Sequence, residues 1–190
     1  MRTTLGIVVS GIFLTGFCVG VNAQQLPKSG SISFHTGWRD SAEVVQVAEK
    51  RIQGHARDAG VTFNDKGSGP LHLGPANCFA TFDLADGNGP VKGYCAFSDA
   101  DSDKIFTDFT GTIGPDGANG TNMISGGTGK YAGVTGSGPW KCKFAGTNGE
   151  LQCAQRLDYK LPYRTNLTLG FAAGRGCSYV ETVRSPSIFS

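Results

Sequence analysis

The sequence has few charged residues and no long helical pattern. Each of these absences excludes a class of protein. Charged residues make up 17% of the chain and hydrophobic residues 39%, whereas a disordered chain combines high net charge with low hydrophobicity. The absence of heptads and of stretches rich in Ala, Glu, Lys and Leu excludes a coiled coil or a helical bundle. The 29 glycines follow no three-residue period, which excludes collagen. A globular all-β domain rich in glycine and aromatic residues remains.

Motifs that carry catalysis or bind nucleic acid are also missing. Basic residues form no block interleaved with aromatic residues, so we expect no nucleic-acid partner. No Gly-x-Ser-x-Gly elbow stands between a strand and a helix. The histidines, His35, His55 and His72, lie in no His-x-x-x-His or Cys-x-x-Cys frame. The sequence therefore identifies no catalytic residue and favours a non-catalytic protein over an enzyme.

Residues 1–23 have the pattern of a secretory signal peptide. Arg2 supplies a positive start, an apolar run covers residues 5–21, and Val21-Asn22-Ala23 fits a cleavage site. The alternative is an uncleaved membrane anchor, but the run is short for a membrane span. We therefore predict cleavage after Ala23, no membrane span in the mature chain, and a secreted or periplasmic location.

After the signal segment, short β-like runs alternate with turn signals. The turn signals are Asp86-Gly87, Asp116-Gly117, Asn119-Gly120 and Asn148-Gly149. The predicted strands cover residues 31–36, 43–48, 51–57, 61–64, 77–84, 91–98, 105–112, 121–125, 131–136, 139–145 and 150–159. Short strands at this regular spacing indicate a sandwich or a closed barrel. We divide the chain into a signal peptide (1–23), a β-barrel domain (24–160) and an irregular C-terminal extension (161–190), with at most one added strand at 166–171.

The cysteines of the mature chain suggest two bridges. They are Cys78, Cys95, Cys142, Cys153 and Cys177. A hairpin that turns at Asp86-Gly87 places Cys78 opposite Cys95, and a loop at residues 146–149 places Cys142 opposite Cys153. Facing positions of a non-hydrogen-bonded pair lie about 4.5 Å apart at Cα, within disulfide reach. We predict these two disulfides; cross-barrel pairing or free core thiols are the alternatives, and Cys177 is left over.

Three alternating carboxylates form the sharpest candidate for a metal site. Asp99, Asp101 and Asp103 resemble the start of a calcium-binding loop, where oxygen atoms converge on one hard cation. The full loop has Gly at its sixth position and Glu at its twelfth, but Lys104 and Thr110 stand there in this chain. Calcium is therefore the one possible cofactor, and a solvated acidic turn between strands is the alternative.

The glycine-rich segment at residues 126–138 carries a family resemblance. It reads Gly-Gly-Thr-Gly-Lys-Tyr-Ala-Gly followed by Val-Thr-Gly-Ser-Gly, and it resembles the barrel-closing hairpin of allene oxide cyclase and dirigent proteins. Residues 77–159 are also similar to a group of small exported bacterial proteins of unassigned function. The resemblance implies a closed antiparallel barrel of about eight strands, in which Tyr131 can cover one end. It transfers no functional residue, because no active position of either named family can be matched, and the cysteine pattern departs from both.

Together these features predict an exported, disulfide-stapled barrel that binds a small apolar ligand or a protein partner. One alternative is an isomerase or cyclase that acts on a small hydrophobic substrate in the barrel cavity. The other is a structural envelope protein with a calcium-binding acidic loop. A buried polar cluster in the cavity would favour the enzyme, whereas an interior filled with Phe and Val would argue against it. The sequence leaves the ligand and the oligomeric state open.

Overall fold

The computed structural model describes residues 26–163, which form a closed antiparallel barrel of eight strands. The strands are β1 (Ser29–Ala48), β2 (Arg51–Asn64), β3 (Gly74–Ala85), β4 (Gly89–Ser98), β5 (Lys104–Gly114), β6 (Gly117–Gly127), β7 (Thr135–Phe144) and β8 (Glu150–Lys160). Each strand pairs with its sequence neighbours, and β1 pairs with β8 to close the barrel. The predicted closed antiparallel barrel is confirmed. The predicted signal peptide, Cys177 and the possible strand at 166–171 lie outside the described residues.

Two long strands replace four predicted short ones. The predicted runs 31–36 and 43–48 both belong to β1, and the runs 51–57 and 61–64 both belong to β2. Glycine is typical of turns, but Gly60 lies within β2, opposite Trp38 of β1. A Cβ atom at position 60 would lie 2.7 Å from Cε3 of Trp38, so glycine provides the space that the indole ring occupies. Here glycine marks close packing rather than a turn.

Two further local predictions are wrong. Residues 131–136 do not form the predicted strand. A 3-10 helix, Gly129–Tyr131, ends at its first residue, and β7 starts only at Thr135. Gly129 and Gly133 have φ angles of 53° and 74°, a left-handed conformation that interrupts a strand. The predicted turn at Asn119-Gly120 lies inside β6, where Gly120 is paired on both sides.

Both predicted hairpin disulfides form. Cys78 lies opposite Cys95 with a Cα–Cα distance of 4.1 Å, and Cys142 lies opposite Cys153 with a distance of 3.9 Å. Each bridge joins neighbouring strands in the predicted register. Disulfides of this kind are compatible with an extracellular or periplasmic protein, because they persist in oxidising compartments. Within residues 26–163, no helix is long and apolar enough to cross a membrane.

The inward-facing side chains pack one half of the barrel tightly. The fully or almost fully buried members of this half are Ile32, Phe34, Leu71, Phe97, Ile105, Tyr131 and Leu157. The rings of Phe34 and Phe97 meet edge to face, with centroids 5.3 Å apart, a favoured arrangement for buried aromatic pairs. The other half, towards the β1–β2 turn, is lined by inward residues that do not fill the space.

Candidate functional site

The unfilled half of the barrel contains a cavity of about 130 Å³. Its walls are mostly apolar, with large side chains from Trp38, Phe82, Val91, Phe109, Ile113 and Trp140. The cysteines of both disulfides also line it. Phe144, another lining residue, is 51% exposed, which places one end of the cavity at the protein surface. An engineered apolar cavity of about 150 Å³ binds benzene, so this cavity has room for one ring-sized group.

Glycines on the barrel wall position the indole ring of Trp140. Gly111 of β5 and Gly120 of β6 lie in one row with Trp140 of β7. A Cβ atom at Gly111 would lie 2.5 Å from Cζ2 of Trp140, so the ring lies directly over this glycine. Phe109 contacts the same indole edge to face at 5.7 Å. Trp140 is only 9% exposed, and its Nε1 has no hydrogen-bond partner among residues 26–163.

Two carboxyl groups face each other where the barrel wall ends. Asp40 of β1 lies opposite Asp58 of β2, and both line the cavity. Arg39 and Glu150 form the last pair between β1 and β8, so Asp40 lies at the rim of the barrel. Its Oδ1 is buried and has no hydrogen-bond partner in the described part of the chain. None of the residues that line the cavity is basic, so no lining side chain neutralises the two acids.

The two carboxyl groups share a proton near neutral pH. Burial, the negative charge of Asp40 and a hydrogen bond with Asp40 raise the pKa of Asp58 to about 7. Burial also raises the pKa of Asp40, although its hydrogen bonds with Asp58 and with the Ser41 backbone act in the opposite direction. Adjacent carboxyl groups titrate as a pair, because each negative charge opposes ionisation of the other. The pair therefore gains its second negative charge as the pH rises through about 7.

A ladder of four buried polar side chains separates the cavity from the packed half. Thr107 Oγ1 donates to Asn122 Oδ1 at 3.3 Å, and Asn122 Nδ2 donates to Gln155 Oε1 at 3.0 Å. Gln155 Nε2 then donates to Thr36 Oγ1 at 3.1 Å. Asn122 and Gln155 both line the cavity. Because these four side chains are hydrogen-bonded to one another, the ladder fixes the inner end of the cavity.

The predicted calcium residues lie at the opposite end of the barrel, where β4 ends and β5 begins. The buried carboxylate of Asp99 accepts a hydrogen bond from the Tyr131 hydroxyl at 3.0 Å and pairs with Lys130 Nζ at 2.5 Å. Lys130 Nζ also pairs with Asp101 at 2.7 Å, and the backbone amide of Lys130 donates a hydrogen bond to the Asp103 carboxylate at 3.1 Å. Burial and Asp99 raise the pKa of Tyr131 well above its usual range. These contacts fix Lys130 and Tyr131 of the glycine-rich segment (residues 126–138) to the acidic loop (residues 99–103) at this end of the barrel.

The ammonium group of Lys130 provides a positive charge next to Asp99 and Asp101, as a bound calcium ion would. Within residues 26–163, no three His, Cys, Asp or Glu side chains form a group that could hold a metal ion. Calcium binding by Asp99, Asp101 and Asp103 stays a prediction, and this geometry gives it no support. Tyr131 is fully buried, in the covering position that the family resemblance implies.

No sequence motif marks Asp40 and Asp58, and both were missed. The turn at Glu49 and Lys50 pairs Ala48 with Arg51, and a register shift between Gln46 and Ala48 then pairs Asp40 with Asp58. The turn alone would pair position 40 with position 59, so no sequence signal places the two acids opposite each other. The histidines do not line this cavity. His35 pairs with Asp65 at 3.0 Å, and His55 stacks on Phe79.

Replacing Asp58 by asparagine should stabilise the protein at high pH and have little effect at low pH. The pKa of Asp58 is raised from 3.8 to about 7 on folding, so the folded state holds a proton that the unfolded chain has lost between these values. Stability therefore decreases as the pH rises from about 4 to 7. Asp58→Asn removes this loss, and we expect a gain on the order of 2 kcal/mol at pH 8. Thermal melts at pH 4 and pH 8 measure it.

Asp116→Asn, in an exposed turn, is the matched control for this melt and should show no such pH dependence. An Asp58→Asn variant that is stabilised equally at both pH values would contradict the proton-sharing pair.

Comparisons with known proteins give a similarity in structure. No protein-family model matches the chain, and no curated protein matches it. Among solved structures, the chain is similar to a pterocarpan synthase dirigent protein, with 14% sequence identity and a TM-score of 0.45 over 70% of this chain and 89% of that chain. The similarity is one of barrel architecture alone. The resemblance to allene oxide cyclase and to small exported bacterial proteins stays a prediction.

Proposed function

We propose that this disulfide-bonded barrel is a non-catalytic binding protein for a small, mainly apolar ligand. The observation that carries the proposal is the cavity of about 130 Å³, which combines apolar walls with two unpaired polar atoms. Asp40 Oδ1 can accept a hydrogen bond, and Trp140 Nε1 can donate one. Buried polar groups are normally paired, so a ring-sized ligand with a polar substituent fits both the space and the polarity. Because Asp40 and Trp140, which carry these atoms, line the cavity, they support a small ligand over a protein partner.

Export is part of the same proposal. The predicted signal peptide at residues 1–23 would direct the chain out of the cytoplasm. The two hairpin disulfides support this location, because they form and persist in oxidising compartments. The binding site would then take its ligand from the periplasm or the extracellular medium.

Filling the cavity should abolish binding of a ring-sized probe such as p-cresol, whose hydroxyl group both donates and accepts hydrogen bonds. Ala80 is buried in the cavity wall, and Ala80→Leu places three further carbon atoms in the cavity. We expect the wild-type protein to bind p-cresol with a Kd of about 1 mM or lower, and Ala80→Leu to weaken binding at least tenfold. Shifts of the Trp140 indole N–H resonance on titration measure both.

The control for the cavity-filling variant is Ala154→Leu, at an exposed position of β8, which should bind p-cresol like the wild type. Two results would contradict the proposal. One is the absence of saturable binding to the wild type; the other is binding that Ala80→Leu leaves unchanged.

A second candidate is an isomerase or cyclase, and the carboxyl pair is the observation that favours it. A group whose pKa is about 7, as for Asp58, can give and take a proton at neutral pH. In such a reaction, Asp58 would protonate a substrate oxygen as its carbon–oxygen bond breaks. The carboxylate pair would then remove a proton from carbon as the new bond forms, so no co-reactant is required. An NMR spectrum showing a rearranged ligand after incubation with the wild type, but not with Asp58→Asn, would distinguish the enzyme from the binding protein.

A further inference from the structure

The cavity contains a negative charge that no neighbouring side chain compensates. Asp40 and Asp58 face each other across β1 and β2, and near neutral pH at least one of them is ionised. The basic residues beside them in sequence, Arg39 and Arg57, are exposed on the outer face. Arg39 Nη1 lies 3.5 Å from Glu150 of β8. On its other side, β2 pairs Asp58 with Cys78 of β3, which is in a disulfide and carries no charge.

The other ion pairs of the β1–β2 hairpin also leave this charge unbalanced, because Lys50 pairs with Asp86 and Arg51 pairs with Asp83. His55 and Glu43 lie 3.8 Å apart, and both side chains are substantially exposed. Neither lines the cavity. The carboxyl pair therefore acts on the cavity as a local negative charge in surroundings of low polarity. A neutral ligand that displaces water from this charge would leave it without a counterion, which is unfavourable.

Aromatic side chains around the cavity favour a cation as the missing partner. Trp38, Phe109 and Trp140 all line the cavity, and the faces of such rings attract positive charge, tryptophan most strongly. The attraction between opposite charges is also stronger in an apolar environment than in water. A positively charged group on an apolar body would therefore satisfy both the carboxyl pair and the aromatic walls.

We propose that the cavity binds a protonated organic amine with a ring-sized apolar body. The ammonium group binds Asp40 and Asp58, and the body packs against Trp38, Phe109 and Trp140. This inference rests on the proposed ligand-binding function and specifies the chemical class of its ligand.

Three probes of similar size and different charge test the inference. 4-Hydroxybenzylamine is a cation at pH 7.5, 4-hydroxybenzyl alcohol is neutral, and 4-hydroxybenzoate is an anion. Isothermal titration of the wild-type protein at pH 7.5 should give an affinity for the amine at least tenfold higher than for the alcohol. The benzoate should show no measurable binding, because the negative charge of the carboxyl pair repels its carboxylate.

A double variant assigns the preference for the amine to the carboxyl pair. Asp40→Asn with Asp58→Asn should lower the affinity for the amine at least tenfold, and it should change the affinity for the neutral alcohol by less than about threefold. Asp65→Asn, at an exposed position outside the cavity, is the matched control. In the wild type, the advantage of the amine should shrink at pH 4, where the pair gains protons and the amine remains a cation. This measurement needs no variant.

The outcomes separate the ligand class from the function itself. If the alcohol binds as tightly as the amine, the amine inference is overturned and the ligand-binding function stands. If none of the three probes binds, the proposed function is overturned as well. A preference for the amine that persists in the double variant and at pH 4 would overturn the assignment to Asp40 and Asp58.

Discussion

Replacing Cys78 and Cys95 together by alanine is expected to lower the free energy of unfolding by about 3 kcal/mol. The bridge closes a loop with a sequence separation of 17, and opening it restores conformational freedom to the unfolded chain. Both cysteines also line the cavity wall, so the variant loses packing there. The melting temperature should decrease by roughly 10 °C, and urea unfolding at 25 °C measures the free energy directly.

The second bridge provides an internal comparison for this result. Cys142 and Cys153 close a loop with a sequence separation of only 11, so their joint replacement should cost slightly less. Reduction of the wild-type protein should lower its stability by more than either double replacement. A reduced wild type that unfolds at the same urea concentration as the oxidised form would contradict a stabilising role for the bridges.

Replacing Lys130 by methionine should destabilise the protein by about 3 kcal/mol, the usual cost of breaking a buried ion pair. The Asp99 side chain is only 3% exposed, and in the variant its carboxylate would keep the Tyr131 hydroxyl as a partner but lose its cation. Lys104→Met, at an exposed position of β5, is the matched control and should change stability by less than about 0.5 kcal/mol. Chemical unfolding measures both variants.

A double variant tests whether the lost ion pair is the cause. In Lys130→Met with Asp99→Asn, the position of Asp99 carries no charge, and the asparagine oxygen can accept from the Tyr131 hydroxyl or from the Asp101 backbone amide, but not from both. Part of the lost stability should therefore return, which a double-mutant cycle measures as a coupling energy. Additive losses in the double variant would show that Lys130 stabilises the barrel end by packing alone.

The register of the β3–β4 and β7–β8 hairpins could be predicted to the residue because short-range signals agree there. A two-residue turn at Asp86-Gly87 fixes the register, and the alternation of apolar side chains repeats it. Cys78 and Cys95 then fall opposite each other. Local sequence alone carries all of these signals, although β3 and β7 begin earlier in the structure than the predicted strands at 77–84 and 139–145.

The cavity and its carboxyl pair could not be predicted, because they depend on the long hairpin of β1 and β2. Glycine, aspartate and serine are typical of turns, and they occur inside these two strands. The packing of Gly60 against Trp38 keeps the strands continuous in spite of them. Asp40 and Asp58 meet only when both strands are continuous. The volume of the cavity depends in addition on side chains from several strands.

The acidic loop shows how distant side chains change the surroundings of a local sequence pattern. Asp99, Asp101 and Asp103 resemble half of a calcium loop when they are read alone. Lys130 lies far from them in sequence, but the barrel brings its ammonium group to Asp99 and Asp101. The sign of a charge cluster depends on the side chains that the fold brings close.

The pairing of the first strand with the last one has a consequence for how the chain folds. Ser29 pairs with Lys160, and Arg39 pairs with Glu150, so the final seam cannot form before β8 has been synthesised. At about 5–20 residues per second, β1 waits on the order of ten seconds on the ribosome for its partner. Contacts this distant in sequence also slow the search for the native state. A chain that completes its barrel so late can still be threaded through a translocation channel before the barrel closes, as the proposed export requires.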